Sequence, residues 1–418
     1  MPPFFSMYTT GNRIFVQGPL RTRDMRRVLA AIHNLVSNLG YQDLELDFSA
    51  CSATFGGPML ALAAYSERYL LNDNINIDLT LPNDSALQRL FLNANWAHLI
   101  NPQKYEPTHF KGRTQIPAMK YGSGPEQHAA MQNVMEKIVA GVNDFDRSHL
   151  KALEWSLNEI TDNVINHAQS VVGGFLQVTN FGYKRRAVEF AVCDAGIGIP
   201  TSLREGHREI GSDQDALDKA IREGVTRDRG VGQGNGLYGS WRVTQISEGS
   251  FEIHSGNASL ISYPGNLRVS RELIPFNGTL VVAVINYDRP LALEEALSFR
   301  GKPHIPVDIV ELTYEANEEG LPVFPLAKEA QGFGSRAAGL PVRQKLRNLL
   351  RLCDGKRLIV DFGDVPIVSS SFADEAFAKL FVEMGPVSFM RAVEFRNVDS
   401  TIQGLIDRAI EQRTRTGL

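Results

Sequence analysis

Cysteine is nearly missing from this chain. Three occur in 418 residues, Cys51, Cys193 and Cys353, far apart and with no partner at metal-ligand spacing. That excludes a disulfide framework and a local zinc site, and it leads us to expect reduced thiols in a cytoplasmic protein. Long apolar runs are also missing. The most apolar window covers only residues 58–65, too short to span a bilayer, so no membrane association is expected. Residues 1–10 lack a basic region followed by an apolar core, and no signal peptide is expected. Neither sign of charge dominates: 43 Lys and Arg face 47 Asp and Glu, a net charge of −4, which carries no footprint of a nucleic-acid binder. What remains is an ordinary globular composition, 43% hydrophobic and 22% charged, at a length that suggests two or three domains.

Proline and glycine cluster at 101–125 and again at 288–339, dividing the chain into blocks 1–115, 116–290 and 291–418. The first block alternates strand and helix patterns: strands at 13–17, 44–48 and 75–79, helices at 22–39, 58–71 and 85–92. That is a small α/β domain. The third block repeats part of it. Leu358-Ile-Val-Asp361-Phe362, a loop and a helix over 372–384 match Leu44-Glu-Leu-Asp47-Phe48, a loop and a helix from Pro58. The central block predicts helices at 126–141 and 148–168, strands at 175–180 and 187–193, a helix from Leu237, and strands at 250–254 and 279–285.

Three segments of the central block carry chemistry. On helix 148–168, Leu153, Leu157, Ile160 and Val164 form an apolar stripe, while Glu159, Asn163 and Asn166 share another face. A carboxylate and two amides stacked in this way can point into one cavity. Asn163 offers a neutral oxygen to Mg²⁺, and Glu159 can take a proton from an attacking group. The alternative for this segment alone is a solvated polar face. Asp194 ends an apolar strand and is followed by Gly196-Ile-Gly198-Ile-Pro200, which must turn. An Asp there can accept from the exocyclic amine of adenine; an ordinary Asp-Gly turn is the alternative. Gly230, Gly232, Gly234, Gly236 and Gly239 then fall close together ahead of a helix. Such a loop can form an anion nest beside a helix N-terminus, or serve as a flexible linker. It fits neither the P-loop nor the Rossmann pattern. Together the three segments describe a pocket for ATP and a divalent cation.

The segments resemble the N, G1 and G2 boxes of the GHKL ATPases, the family of gyrase, heat-shock chaperone, histidine kinase and mismatch-repair ATPases. The resemblance covers about a third of the chain and includes Ser247–Ser255 and Asn277-Gly278-Thr279. It implies an α/β (α+β) fold, a Bergerat-type sandwich binding ATP under a mobile lid over 200–229. By that resemblance Glu159 is the general base and Asn163 the Mg²⁺ ligand, with Asn166 beside them. Asp194 anchors adenine, Gly196 and Gly198 line the base, and Thr279 lies near it. Gly232, Gly234, Gly236 and Leu237 face the phosphates. Lid cations Lys219, Arg222, Arg227 and Arg229 could reach a phosphate or stay solvated.

Sensor histidine kinases usually carry Asn where this chain has Glu159, and His128 is followed by Ala-Ala rather than an acid, so that activity is not expected. Two subfamilies keep the Glu: ATP hydrolases, and anti-sigma-factor serine kinases, whose motif 159–168 resembles closely. The flanking blocks resemble STAS domains, the substrates of those kinases. Ser370 falls at the phosphoacceptor position of the C-terminal one and Gly56 at that of the N-terminal one; helix capping is the alternative role for Ser369, Ser370 and Ser371. Three functions stay open: a Mg²⁺-dependent ATPase that couples nucleotide state to domain or protein-partner contacts, a partner-switching serine kinase, and a regulatory scaffold that binds nucleotide without turnover.

Overall fold

The computed structural model describes residues 4–108, 116–142, 145–182, 185–227 and 234–416. It is a mixed α/β protein with several sheets and two compact units, one of Met1–Val134 with Ala152–Ile305, the other of Met135–Lys151 with Pro306–Leu418. No helix among the described residues is long and apolar enough to cross a membrane.

The first unit opens with strands β1 (Ser6–Thr10), β2 (Arg13–Pro19), β3 (Asp43–Asp47), β4 (Cys51–Ala53) and β5 (Asn76–Thr80). They form one sheet in the order β1-β2-β3-β5, with β4 beside β2. β2, β3 and β5 run parallel, and β1 closes one edge as an antiparallel hairpin. Alternation sets the faces: Ile14 and Val16 of β2 are fully buried between half-exposed neighbours. Helix Thr22–His33 turns Met25, Val28, Leu29 and Ile32 inward, and its expected last turn is a π-helical stretch, Asn34–Asn38.

Helix Gly56–Asp73 is different. Every residue from Gly56 to Ser66 is buried. A helix apolar on all sides needs cover on all sides. One side faces its own sheet. The other faces a second sheet, built from β6 (Met119–Tyr121), β7 (Gly174–Asn180), β8 (Ala187–Asp194), β9 (Ser250–Tyr263) and β10 (Asn266–Asn286). That sheet is antiparallel throughout, in the order β6-β7-β8-β10-β9. The register places Phe175, Ala191, Cys193, Leu280 and Val282 on one face, in a common core with helix Gly56–Asp73. The contact is close because the helix starts on two glycines. A Cβ at Gly56 would lie 2.9 Å from Gln177 Oε1, and one at Gly57 2.9 Å from a Val282 methyl.

β9 and β10 run much further than the apolar segments 250–254 and 279–285 suggest. Their ladder breaks twice, between Arg271 and Phe276 and between Phe276 and Thr279. Such bulges leave backbone groups without cross-strand partners. Arg26, reaching from helix Thr22–His33, donates to the carbonyls of Gly256 (2.8 Å), Ala258 (2.7 Å) and Ile274 (2.6 Å). A small hairpin of β11 (Ser298–Phe299) and β12 (Lys302–Pro303) ends the unit.

The second unit holds a parallel sheet of β13 (Val323–Pro325), β14 (Leu358–Asp361) and β15 (Val393–Arg396), with helices Arg336–Leu352, Ser370–Ala373, Lys379–Met384 and Ser400–Thr416. The expected repeat is visible in both units. Asp47 Oδ1 accepts from Ser49 N at 2.7 Å, and Asp361 Oδ1 accepts from Gly363 N at 2.9 Å, so the same turn follows each Asp-Phe strand end. Within this unit Glu375 is buried against Arg336, Arg343 and Lys379, and Arg147 is buried against Asp308, Glu315 and the Leu352 carbonyl.

Replacing Arg26 with Met keeps the bulk but removes the guanidinium donors from three carbonyls, one buried and two part-buried. We expect a loss of about 3 kcal/mol in urea unfolding. A loss below about 0.5 kcal/mol would show that the bulge carbonyls do not depend on Arg26.

Candidate functional site

The second face of the antiparallel sheet borders a cavity of about 420 Å³, within the usual size of small-molecule sites. β8 and β10 form its floor through Val192, Asp194, Thr279 and Val281, which pair across the strands as Asp194–Thr279 and Val192–Val281. Helix Arg147–His167 forms one wall through Trp155, Glu159, Asn163 and Asn166. The start of helix Gly236–Ile246, with Gly234, Gly236 and Leu237, forms another. The three segments singled out in the sequence thus border one space.

The floor is anchored at Asp194. Its side chain accepts from Gly196 N at 2.8 Å, and a bond from the Thr279 backbone also lowers its pKa. Burial dominates, and the carboxyl is pushed up to about 7. Gly198 adopts φ +77°, and a Cβ there would lie 2.6 Å from Ser255 Oγ, which itself accepts from Ile199 N (2.9 Å) and donates to the Gly278 carbonyl (2.7 Å). Gly196 is not part of the lining. It is glycine because a Cβ would fall 1.9 Å from the Ala168 carbonyl, where the turn passes the end of helix Arg147–His167.

On the wall, burial and then the neighbouring Asp162 raise Glu159 to about 7. Asn163 is half-buried beside it. Asn166 is exposed, and its amide donates to Asp162 at 2.8 Å. The two helices meet closely: a Cβ at Gly236 would lie 2.4 Å from Glu159 Oε2, and one at Gly239, a turn on, 2.3 Å from the Trp155 ring. Any larger residue at Gly236 would displace the carboxylate. Gly230, Gly232 and Arg229 lie outside the described residues.

The segment expected to act as a lid contains helices Gly198–Gly206 and Asp213–Ala220. Lys219 pairs with Glu209 at 3.1 Å and Arg222 with Asp218. Among the described lid cations only Arg227 lines the cavity. It donates to Glu205 (3.0 Å) and to the Asn166 carbonyl (3.3 Å). Sequence reasoning missed Trp155, Phe299 and His304, which also border the space. Trp155 was within reach, one turn before Glu159 on the same helix. Phe299 and His304 carried no signal, because they lie in a proline-rich connection.

As donors, these residues suit a small molecule that brings its own charges. No group of three His, Cys, Asp or Glu among the described residues could hold a metal alone. Asn163 and Glu159 can complete the sphere of a cation held mainly by ligand oxygens and water.

A family model described as a STAS-like domain of unknown function (DUF4325) matches residues 338–403. That range contains β14, the helical stretch from Ser370 and β15. No family model of the GHKL ATPases matches the central segment. No curated protein matches the chain.

Burying Asp194 has a consequence for stability. A carboxyl whose pKa is raised on folding favours the folded state fully below its unfolded value, near 4, and that contribution is lost as pH rises through about 7. Asp194→Asn removes this dependence. The variant should gain stability relative to the parent between pH 4.5 and pH 8, on the order of 2–4 kcal/mol, read by urea unfolding at both pH values. A constant difference would mean that Asp194 is ionised throughout.

Proposed function

We propose that this chain is a Mg²⁺-dependent ATP-binding protein of GHKL type that hydrolyses ATP and couples nucleotide state to the contacts of its STAS-like domains. The observation that carries this reading is the convergence on one cavity of Glu159, Asn163, Asp194, Gly198, Gly234, Gly236, Leu237 and Thr279. Adenine would sit at the Asp194 end, where a carboxylate accepts from its amine. The phosphates would run toward the N-terminus of helix Gly236–Ile246, whose dipole favours anions. Asn163 would offer its amide oxygen to Mg²⁺, which when bound neutralises phosphate charge. Glu159, near neutral in its pKa, would take a proton from water as the water oxygen bonds to the terminal phosphorus and the bond to ADP breaks.

One observation favours a second reading, a serine kinase acting on a STAS-like domain. Ser369 caps its helix by accepting from Phe372 N at 3.1 Å, and this leaves Ser370 exposed. Gly56, at the same place in the N-terminal repeat, has no hydroxyl and is packed against Gln177. Transfer of labelled terminal phosphate to the protein, lost in Ser370→Ala, would establish this second reading.

Glu159→Gln should bind ATP as the parent does and lose about 10²–10³-fold in phosphate release. Unimpaired release would remove Glu159 from the base role. In the parent both carboxyls must be ionised to act, so affinity and turnover should climb as pH rises through about 7. A rate flat from pH 6 to pH 8 would contradict this. Asn163→Ala should abolish the Mg²⁺ dependence of ATP binding; a dependence equal to the parent's would show that the cation is held without it.

A further inference from the structure

Phe299 and His304 belong to the short connection that closes the first unit, outside all three sequence segments, yet both border the cavity. A tight hairpin carries Phe299, and His304 follows it with its N–H donating to the Leu297 carbonyl at 2.7 Å. The hairpin's two turn residues, Arg300 and Gly301, have φ of +51° and +74°, the left-handed pair of a tight two-residue turn. The Arg300 N–H is held by the Glu223 carboxylate, at the end of the lid segment. The rings of Trp155, Phe299 and His304 lie 5.9–6.2 Å apart, and Tyr238 stands 6.3 Å from Phe299.

Two helices locate this cluster. Trp155 is one turn before Glu159 on helix Arg147–His167. Gly239, whose Cβ would meet both Trp155 (2.3 Å) and Phe299 (3.1 Å), is one turn after Gly236, which abuts Glu159. The cluster therefore stands beyond Glu159, at the end of the cavity away from Asp194. In an in-line displacement the attacking group enters opposite the leaving ADP, and here that is the side of the rings.

We propose that Phe299 and His304 are specificity-determining residues that restrict the group attacking the terminal phosphate to one of water's size, selecting hydrolysis over transfer to a protein hydroxyl. This rests on the ATP reading above. In the allowed reaction the water oxygen bonds to phosphorus, its proton passes to Glu159 and ADP leaves. An alcohol oxygen would follow the same course and give an alkyl phosphate.

The test uses the full chain with ATP, Mg²⁺ and a high concentration of methanol, and follows inorganic and methyl phosphate by phosphorus NMR and ATP affinity by calorimetry. The parent should give almost only inorganic phosphate. Phe299→Ala, and His304→Ala at its exposed position, should raise the methyl phosphate share roughly tenfold with affinity little changed. Phe299→Tyr, which keeps the wall, should match the parent. An equal share in parent and both alanine variants overturns the proposal. So does a parent that binds ATP but releases no phosphate or passes it to Ser370. A parent that does not bind ATP overturns the ATP reading itself, and the role of Phe299 and His304 falls with it.

Discussion

The cover on both faces of one antiparallel sheet is the constraint from which the rest follows. Along β8, Ala191 and Cys193 face helix Gly56–Asp73, while Val192 and Asp194 face the cavity. A strand flanked in this way excludes water from its carboxyl-terminal end, and Asp194 is held there with its pKa near 7. The N-terminal repeat is thus part of the site's dielectric environment although none of its described residues line the cavity. Its two leading glycines let the backbone of the covering helix reach the sheet, and Arg26 supplies the donors that the bulged ribbon lacks.

Buried acids are met in two ways, by a cation, as Arg13 meets Asp47 in the first unit, or by none. In the second unit, buried acids are met by cations: Glu375 by Arg336, Arg343 and Lys379, and Asp308 and Glu315 by Arg147. At the cavity of the first, Asp194 is buried and Glu159 half-buried, neither forms an ion pair with a cation among the described residues, and burial raises both. Once ionised, above about pH 7, such groups cost the fold stability. They are the residues that a site for proton transfer and for a hydrogen-bond donor would require, and the pattern is a general mark of functional positions.

The internal repeat shows how one local sequence can serve two ends. Both copies end a strand in Asp-Phe, fold the same turn and start a helix nine residues after the Asp, at Gly56 and at Ser370. In the first copy that start is buried against Gln177, whose amide a side chain at Gly56 would have to displace. In the second it is solvent-exposed and capped by Ser369.

Periodicity alone gave the alternating elements of the first block, the site helix with Glu159 and Asn163 on one face, and the Asp-Phe repeat, because each is a pattern over a few neighbouring residues. The long β9–β10 ribbon was legible only at its apolar ends; its outer part is polar, and two bulges break the alternation that marks a strand. Gly196 was expected to line the base, and Gly239 fell in the glycine-dense run read as a phosphate loop. Packing gave Gly196 and Gly239 other duties, at the Ala168 carbonyl and at the Trp155 ring. Which helix covers which face, which acids lose their water, and that Phe299 and His304 stand beyond Glu159 were decided only by the tertiary structure. These depend on contacts between residues as far apart in the chain as Gly236 and Glu159 or Gly57 and Val282, and no local pattern encodes such distances.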